Sequence, residues 1–204
     1  MARITPKMAL RQTQDFFSQA VRFGITSVQN IRMRVIRMPE TTPQGRDMVE
    51  GRPLPGNPTA LITVRGTKWV LDGTPIESSA AMREPYSDNR SHSGWMNFSE
   101  GEMEALLRES LSNDDQLLVH IVGDRTTEIF LNAMDATGGK AVWSGRRLRI
   151  EHGDGIMPDL VSRAKELGAI VIVNPTHLAL RDLFVKRFGA ERNKSNSTAA
   201  VLAN

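Results

Sequence analysis

From residue 99 to residue 188 the chain repeats one alternation: a stretch with apolar residues at helical spacing, then a short apolar run of strand length. The apolar runs fall at 116–122, 147–152 and 169–173, and the helical stretches at 99–111, 124–134, 158–167 and 178–188. Ser99 and Glu102 have the spacing of a capping box, with Met103, Leu106, Leu107 and Leu111 behind them on one face. Asp124 is placed to cap the next helix, Gly138-Gly139 to end it, and Gly168 to close the one after. A strand, a helix and a strand joined by short links form a right-handed crossover, which lays consecutive strands parallel. The run at 169–173 has no polar face, so it is expected to be covered on both sides, as in a barrel or a doubly wound sheet.

The first half of the chain is less regular. Thr5-Pro6 can open a helix that carries Phe16, Phe17, Ala20 and Val21 and stops at Gly24. A short strand is expected at 25–31. Another follows at 31–38, where Ile31, Met33 and Val35 alternate with Arg32 and Arg34. Residues 39–58 hold five prolines and three glycines, which limits them to a long loop. Residues 61–71 read as a strand or a strand pair broken at Gly66, and an irregular stretch runs on to Phe98. The tail 192–204 shows no pattern and is expected to fray, leaving 1–191 as one domain.

Composition removes several classes of function. There is no cysteine, so disulfides, thiolate metal sites and Cys nucleophiles are absent, and any metal must use His, carboxylate or modified Lys. The formal charge is only +3, basic residues are interspersed with acidic ones, and 5% of residues are aromatic. That provides neither a basic stripe nor a stacking platform, so nucleic acid is not expected as a partner. No stretch approaches the roughly 20 apolar residues of a membrane span, and residues 1–10 lack a signal-like apolar run. No membrane partner and a cytoplasmic location are the expectation.

In parallel α/β folds, reactive groups gather where strands end, because several strands converge at that rim. His120 and His152 end consecutive predicted strands, 32 residues or one βαβ unit apart, so they are expected to be neighbours there. Each alone reads more readily as a hydrogen-bonded structural histidine than as a ligand, and only the pair on adjacent strands brings the two readings level. Asp124 can fix an imidazole tautomer or simply serve the helix start, and the second role is favoured. Glu151 is expected to pair with Arg149 or another arginine. His177, after Pro175, is placed to face a substrate, and His92 fits no pattern.

The words around these residues carry a resemblance. His-Ile-Val-Gly-Asp-Arg at 120–125, Arg-Ile-Glu-His at 149–152 and Asn-Pro-Thr-His at 174–177 resemble, in order and spacing, the amidohydrolase superfamily. The branch is amidohydrolase family 3, which includes the N-substituted formamide deformylase-like enzymes. Residues 24–29, the stretch 66–74, Ala80-Ala81 and Pro85-Tyr86 are similar to earlier pieces of the same family. The resemblance implies a metal-dependent (β/α)8 barrel with one or two divalent metals, commonly zinc, that activate water toward a small-molecule amide or other C–N bond. It implies metal-binding roles for His120 and His152 on the fifth and sixth strands. It also implies one for Lys68 on the fourth, carbamylated where it bridges two metals.

The resemblance also implies ligands that these residues do not supply. The family's first strand carries His-x-His, and the histidines here are His92, His120, His152 and His177. Its last strand carries a catalytic aspartate, and after His177 the acidic residues are Asp182 and Glu191. The expected fold is therefore a partial barrel of about five units, lacking the first strands and the last one. It is completed by a missing segment or a second chain, with weak or no hydrolysis alone. A non-catalytic remnant serving as a binding or assembly module is the alternative.

Overall fold

The structure is a computed structural model. It describes residues 6–22, 33–39, 41–42, 45–46, 56–57 and 62–194. Helix α1, Pro6–Arg22, opens on its proline as expected. The strand expected at 25–31 lies outside the described residues. Strand β1 is Met33–Arg37, and a two-residue hairpin of β2, Thr41–Thr42, and β3, Gly45–Arg46, occupies the proline-rich stretch.

The main sheet has the order β1-β4-β5-β6-β7, with every neighbouring pair parallel. Strand β4 is Ile62–Val70, β5 Leu117–Ile121, β6 Arg149–His152 and β7 Ile170–Ile172. Gly66 bends β4 rather than breaking it. Its φ of +99° suits only glycine, and a Cβ there would stand 3.0 Å from the Gln116 carbonyl oxygen. The register against β1 slips between Val35 and Arg37, as at a β-bulge.

Helices α2, Glu100–Ser112, α3, Asp124–Ala136, and α5, Pro158–Glu166, follow β4, β5 and β6. The capping box of Ser99 and Glu102 is formed. Asp124 differs from expectation: Gly123 is the cap, and Asp124 is the first helical residue. A short helix, α4, Gly139–Trp143, follows the glycine pair that ends α3. Trp143 is drawn in because its ring is fully buried and its Nε1–H donates to Thr137 Oγ1 at 3.1 Å. After β7 come a 3₁₀ helix, Pro175–Leu180, then α6, Arg181–Phe188, and α7, Ala190–Lys194. Arg192, Asn193 and Lys194, the first residues of the tail, lie in α7. Arg192 donates to the carbonyls of Glu84 and Pro85 at 3.0 and 2.7 Å.

The two faces of the sheet are unlike. Trp69, Leu71, Leu117, Val119, Ile121 and Ile150 turn to the helices and join Leu107, Phe130, Met134 and Leu160 in one buried cluster. Alternation sends Lys68, Leu118, His120, Arg149 and Glu151 to the opposite, inner face. The expectation of burial on both faces fails at β7. Ile172 is 38% exposed, because β7 ends the described sheet with no strand beyond it among the described residues.

Candidate active site

Three loops meet above the C-terminal ends of β4, β5 and β6, and they pack backbone against backbone. A Cβ on Gly123 would lie 1.9 Å from the Ala81 carbonyl oxygen, and one on Gly155 would lie 2.4 Å from the Gly123 carbonyl carbon. Asp72, just past β4, ties the loops together. Its Oδ1 accepts from Val122 N–H at 3.0 Å, and its Oδ2 accepts from Gly123 at 2.7 Å and Ala81 at 3.2 Å. The side chain is fully buried, which pushes its carboxyl up to about 7 against the pull of those donors. From outside, Arg187 of α6 holds the same loop system through the carbonyls of Pro75 and Ile76, each at 3.0 Å.

This rim fixes His120. Its Nε2–H donates to the Gly73 carbonyl at 3.1 Å, since a carbonyl can only accept. Burial lowers its pKa to about 4, with His152 and Lys68 adding to the effect, so the ring is neutral.

His152 reaches the inner face by an unusual route. It pairs in register with Ile121, a core residue, and stands two positions after Ile150, also core. Simple alternation would send its ring toward the helices. Its φ of +74° turns the ring instead to 4.5 Å from that of His120, edge to face. A left-handed conformation costs a side-chain-bearing residue of order 1–3 kcal/mol, and such strain concentrates at functional positions. His152 Nδ1 is buried without a hydrogen-bond partner, and burial lowers the ring's pKa. His152→Gly is expected to be about 1 kcal/mol more stable than His152→Ala by chemical denaturation, because only glycine relieves the strained φ. Equal stability of the two variants would contradict the strain.

The other expected residues fall into two groups. His177 stacks on His152 at 5.2 Å with ring planes 7° apart, and its Nδ1 lies 2.9 Å from Asp154 Oδ2. Lys68 Nζ stands 4.0 Å from Glu151 Oε2, while Arg149 donates to Glu151 Oε1 at 2.5 Å, the pairing expected for Glu151. Lys68, Glu151, His120, His152 and His177 therefore share one region. Asp124 stands apart from it in its bonding, accepting from the backbone N–H groups of Arg83 and Arg125 at 2.8 and 2.9 Å. Its carboxylate serves the loop and the helix start rather than an imidazole. His92 holds the Ser78 carbonyl at 2.7 Å and stacks on Tyr86.

Asp72 and Asp154 were not singled out from the sequence. Asp72 falls just past the strand expected at 61–71. Asp154 had one visible signal, its position between Gly153 and Gly155 directly after His152.

As a metal cradle, the region is half of one. Two neutral imidazoles in edge contact, one with an orphaned buried nitrogen, suit a borderline-soft cation that binds deprotonated nitrogen. Among the described residues, however, no group of three or more His, Cys, Asp or Glu side chains is arranged to hold a metal ion. The histidine pair could supply two nitrogen donors to such a cation.

The chain matches the amidohydrolase family over residues 3–204. It is 28% identical over 136 residues to the protein Long After Far-Red 3 of Arabidopsis thaliana, covering 62% of this chain and 22% of that one. It is 27% identical over 130 residues to the putative amidohydrolase YtcJ of Bacillus subtilis (strain 168), covering 63% of this chain and 24% of that one. The chain thus spans about a quarter of the length of these curated relatives. A solved structure of an uncharacterized metal-dependent hydrolase from Pyrococcus horikoshii shares the fold with a TM-score of 0.66 at 24% identity, covering 91% of this chain and 36% of that one. Another, from Pyrococcus furiosus, gives 0.63 at 24% identity over 72% of this chain and 31% of that one. No helix among the described residues is long and apolar enough to cross a membrane. The chain belongs to the amidohydrolase family, and its five parallel strands form part of a TIM-type barrel, the fold it shares with those two solved structures.

Proposed function

We propose that this segment carries the central part of a metal-dependent hydrolase site for carbon–nitrogen bonds outside peptides, with His120 and His152 as ligands to a divalent cation, zinc foremost. N-substituted formamides are the first substrate class to test. The observation that carries the reading is the pair of half-buried, neutral imidazoles 4.5 Å apart on the inner face, one of them held there by a strained backbone. Function explains that strain, whereas a structural histidine at the same place gains nothing from it.

Held by His120 and His152, a divalent cation would supply a bound water of lowered pKa and a polarising charge for the scissile carbonyl. The protein's own contributions are positional. Gly73 O orients His120, and His152 Nδ1 is kept free of competing donors. Lys68 stands within reach of Glu151 as a countercharge, and carbamylation would convert its ammonium into an oxygen ligand. In this reading the His-x-His pair and the last-strand aspartate lie outside the segment, so the chain alone hydrolyses slowly. The partner it takes is a small amide; nucleic acid and membrane are not part of the reading, and the cytoplasm is its place.

The test is an assay of N-substituted formamides and related amides with added zinc. The expected result is slow, chelator-sensitive release of amine, reduced at least about 100-fold in His120→Ala and His152→Ala. Zinc-dependent hydrolysis of esters or phosphoesters in place of amides would overturn the carbon–nitrogen assignment. Rapid amide turnover by the 204-residue chain would overturn the incomplete site. Absence of any zinc effect would favour a non-catalytic module.

A further inference from the structure

We propose that Asp154 is a positioning residue that holds His177 in its Nδ1–H form, leaving Nε2 as an acceptor beside His152 for the N–H of a substrate. Asp154 follows β6 through two consecutive left-handed residues, His152 at φ +74° and Gly153 at +64°. Gly153 N–H donates to the Ile121 carbonyl at 3.1 Å, and a Cβ on Gly153 would stand 2.4 Å from Val171 Cγ1. That close passage against β7 swings Asp154 beneath His177, which follows β7. The Asp154 side chain is fully buried and its Oδ2 lies 2.9 Å from His177 Nδ1.

A carboxylate accepts, so the proton between them sits on Nδ1 and the lone pair of the neutral ring is on Nε2. Packing fixes the ring plane. His152 stacks on His177 at 5.2 Å, and Phe184 meets it edge-on at 5.6 Å. Asp154 fixes what packing cannot, which nitrogen carries the hydrogen. The choice matters for a substrate with an N–H, since only an unprotonated nitrogen can receive that bond. The identity of the donor rests on the carbon–nitrogen reading above; the tautomer does not.

The experiment uses the metal-free chain with ¹⁵N-labelled histidine at about pH 9, well above the ordinary imidazole range. Two-bond nitrogen–proton couplings then report each tautomer. The expected spectrum shows His177 as Nδ1–H and His120 as the opposite form, Nε2–H, an internal reference set by the Gly73 carbonyl. In Asp154→Ala, His177 loses the Nδ1–H form, and in Asp154→Asn the amide oxygen retains it. In the amide assay at the same pH, where the ring is neutral, Asp154→Ala raises KM about tenfold with little change in kcat, as for a bond present in ground and transition states alike. Finding His177 as Nε2–H in the unaltered protein overturns the proposal whether or not the alanine variant folds. An unchanged tautomer in Asp154→Ala, or a fall in kcat with KM unchanged, does the same. Because the tautomer is read without metal or substrate, failure of the hydrolase reading leaves it standing.

Discussion

Gly123→Ala is expected to cost about 3 kcal/mol or more and to lower Tm by roughly 10 °C. The backbone of Gly123 is ordinary, with φ −81° and ψ 143°, so alanine meets no torsional penalty. The cost is steric. The added methyl would sit 1.9 Å from the Ala81 carbonyl oxygen, 2.6 Å from its carbon and 2.7 Å from its nitrogen, all backbone. Neither loop can yield easily, since Asp72 grips Gly123 and Ala81 by their own N–H groups. Gly101, inside α2 with nothing within 4 Å of its virtual Cβ, is the control. There alanine is expected to stabilise by about 0.5–1 kcal/mol through helix propensity. Similar melting temperatures for the two variants would contradict the close packing of the rim.

Asp72→Ala is the second large effect. It strips partners from three N–H groups, those of Val122, Gly123 and Ala81, and each unsatisfied buried donor costs about 1–3 kcal/mol. A loss of roughly 5 kcal/mol is expected near pH 4, a large share of a typical domain's stability. The loss is also expected to depend on pH. Folding raises this carboxyl from its ordinary 3.8 to about 7, so between those values the native state holds a proton that the unfolded chain has released. Stability from this group therefore falls as pH rises from about 4 to 7. The variant lacks that fall, so its penalty shrinks across the same window, by up to roughly 4 kcal/mol. His120 contributes the opposite slope. Its pKa is lowered to about 4, so the unfolded chain takes up the proton first as pH drops through 6.5. Subtracting variant from parent at each pH in denaturant melts isolates Asp72, and a penalty that is flat or grows with pH would contradict the assignment.

What the sequence disclosed and what it withheld follow from the range of the forces involved. The capping box at Ser99, the apolar run of β5 and the glycine closing α5 are local, and a reader of residues finds them. Neighbouring placement of His120 and His152 followed from one βαβ spacing. Their actual contact did not, because it depends on the left-handed turn at His152, which no local propensity favours. Asp72 escaped notice because its importance comes from donors 9, 50 and 51 residues away. Asp154 likewise gains its role from His177, 23 residues on. The exposure of Ile172 reversed an expectation of full burial, since an apolar run does not tell whether another strand covers its edge.

Joint ligation of a cation by His120 and His152 is open to measurement in a zinc titration followed through the imidazole resonances of all four histidines. The expected result is a joint change in His120 and His152 with His92 unmoved, and at least about 100-fold weaker zinc binding in either alanine variant. Zinc that leaves both rings unperturbed, or that binds as tightly without them, would contradict it.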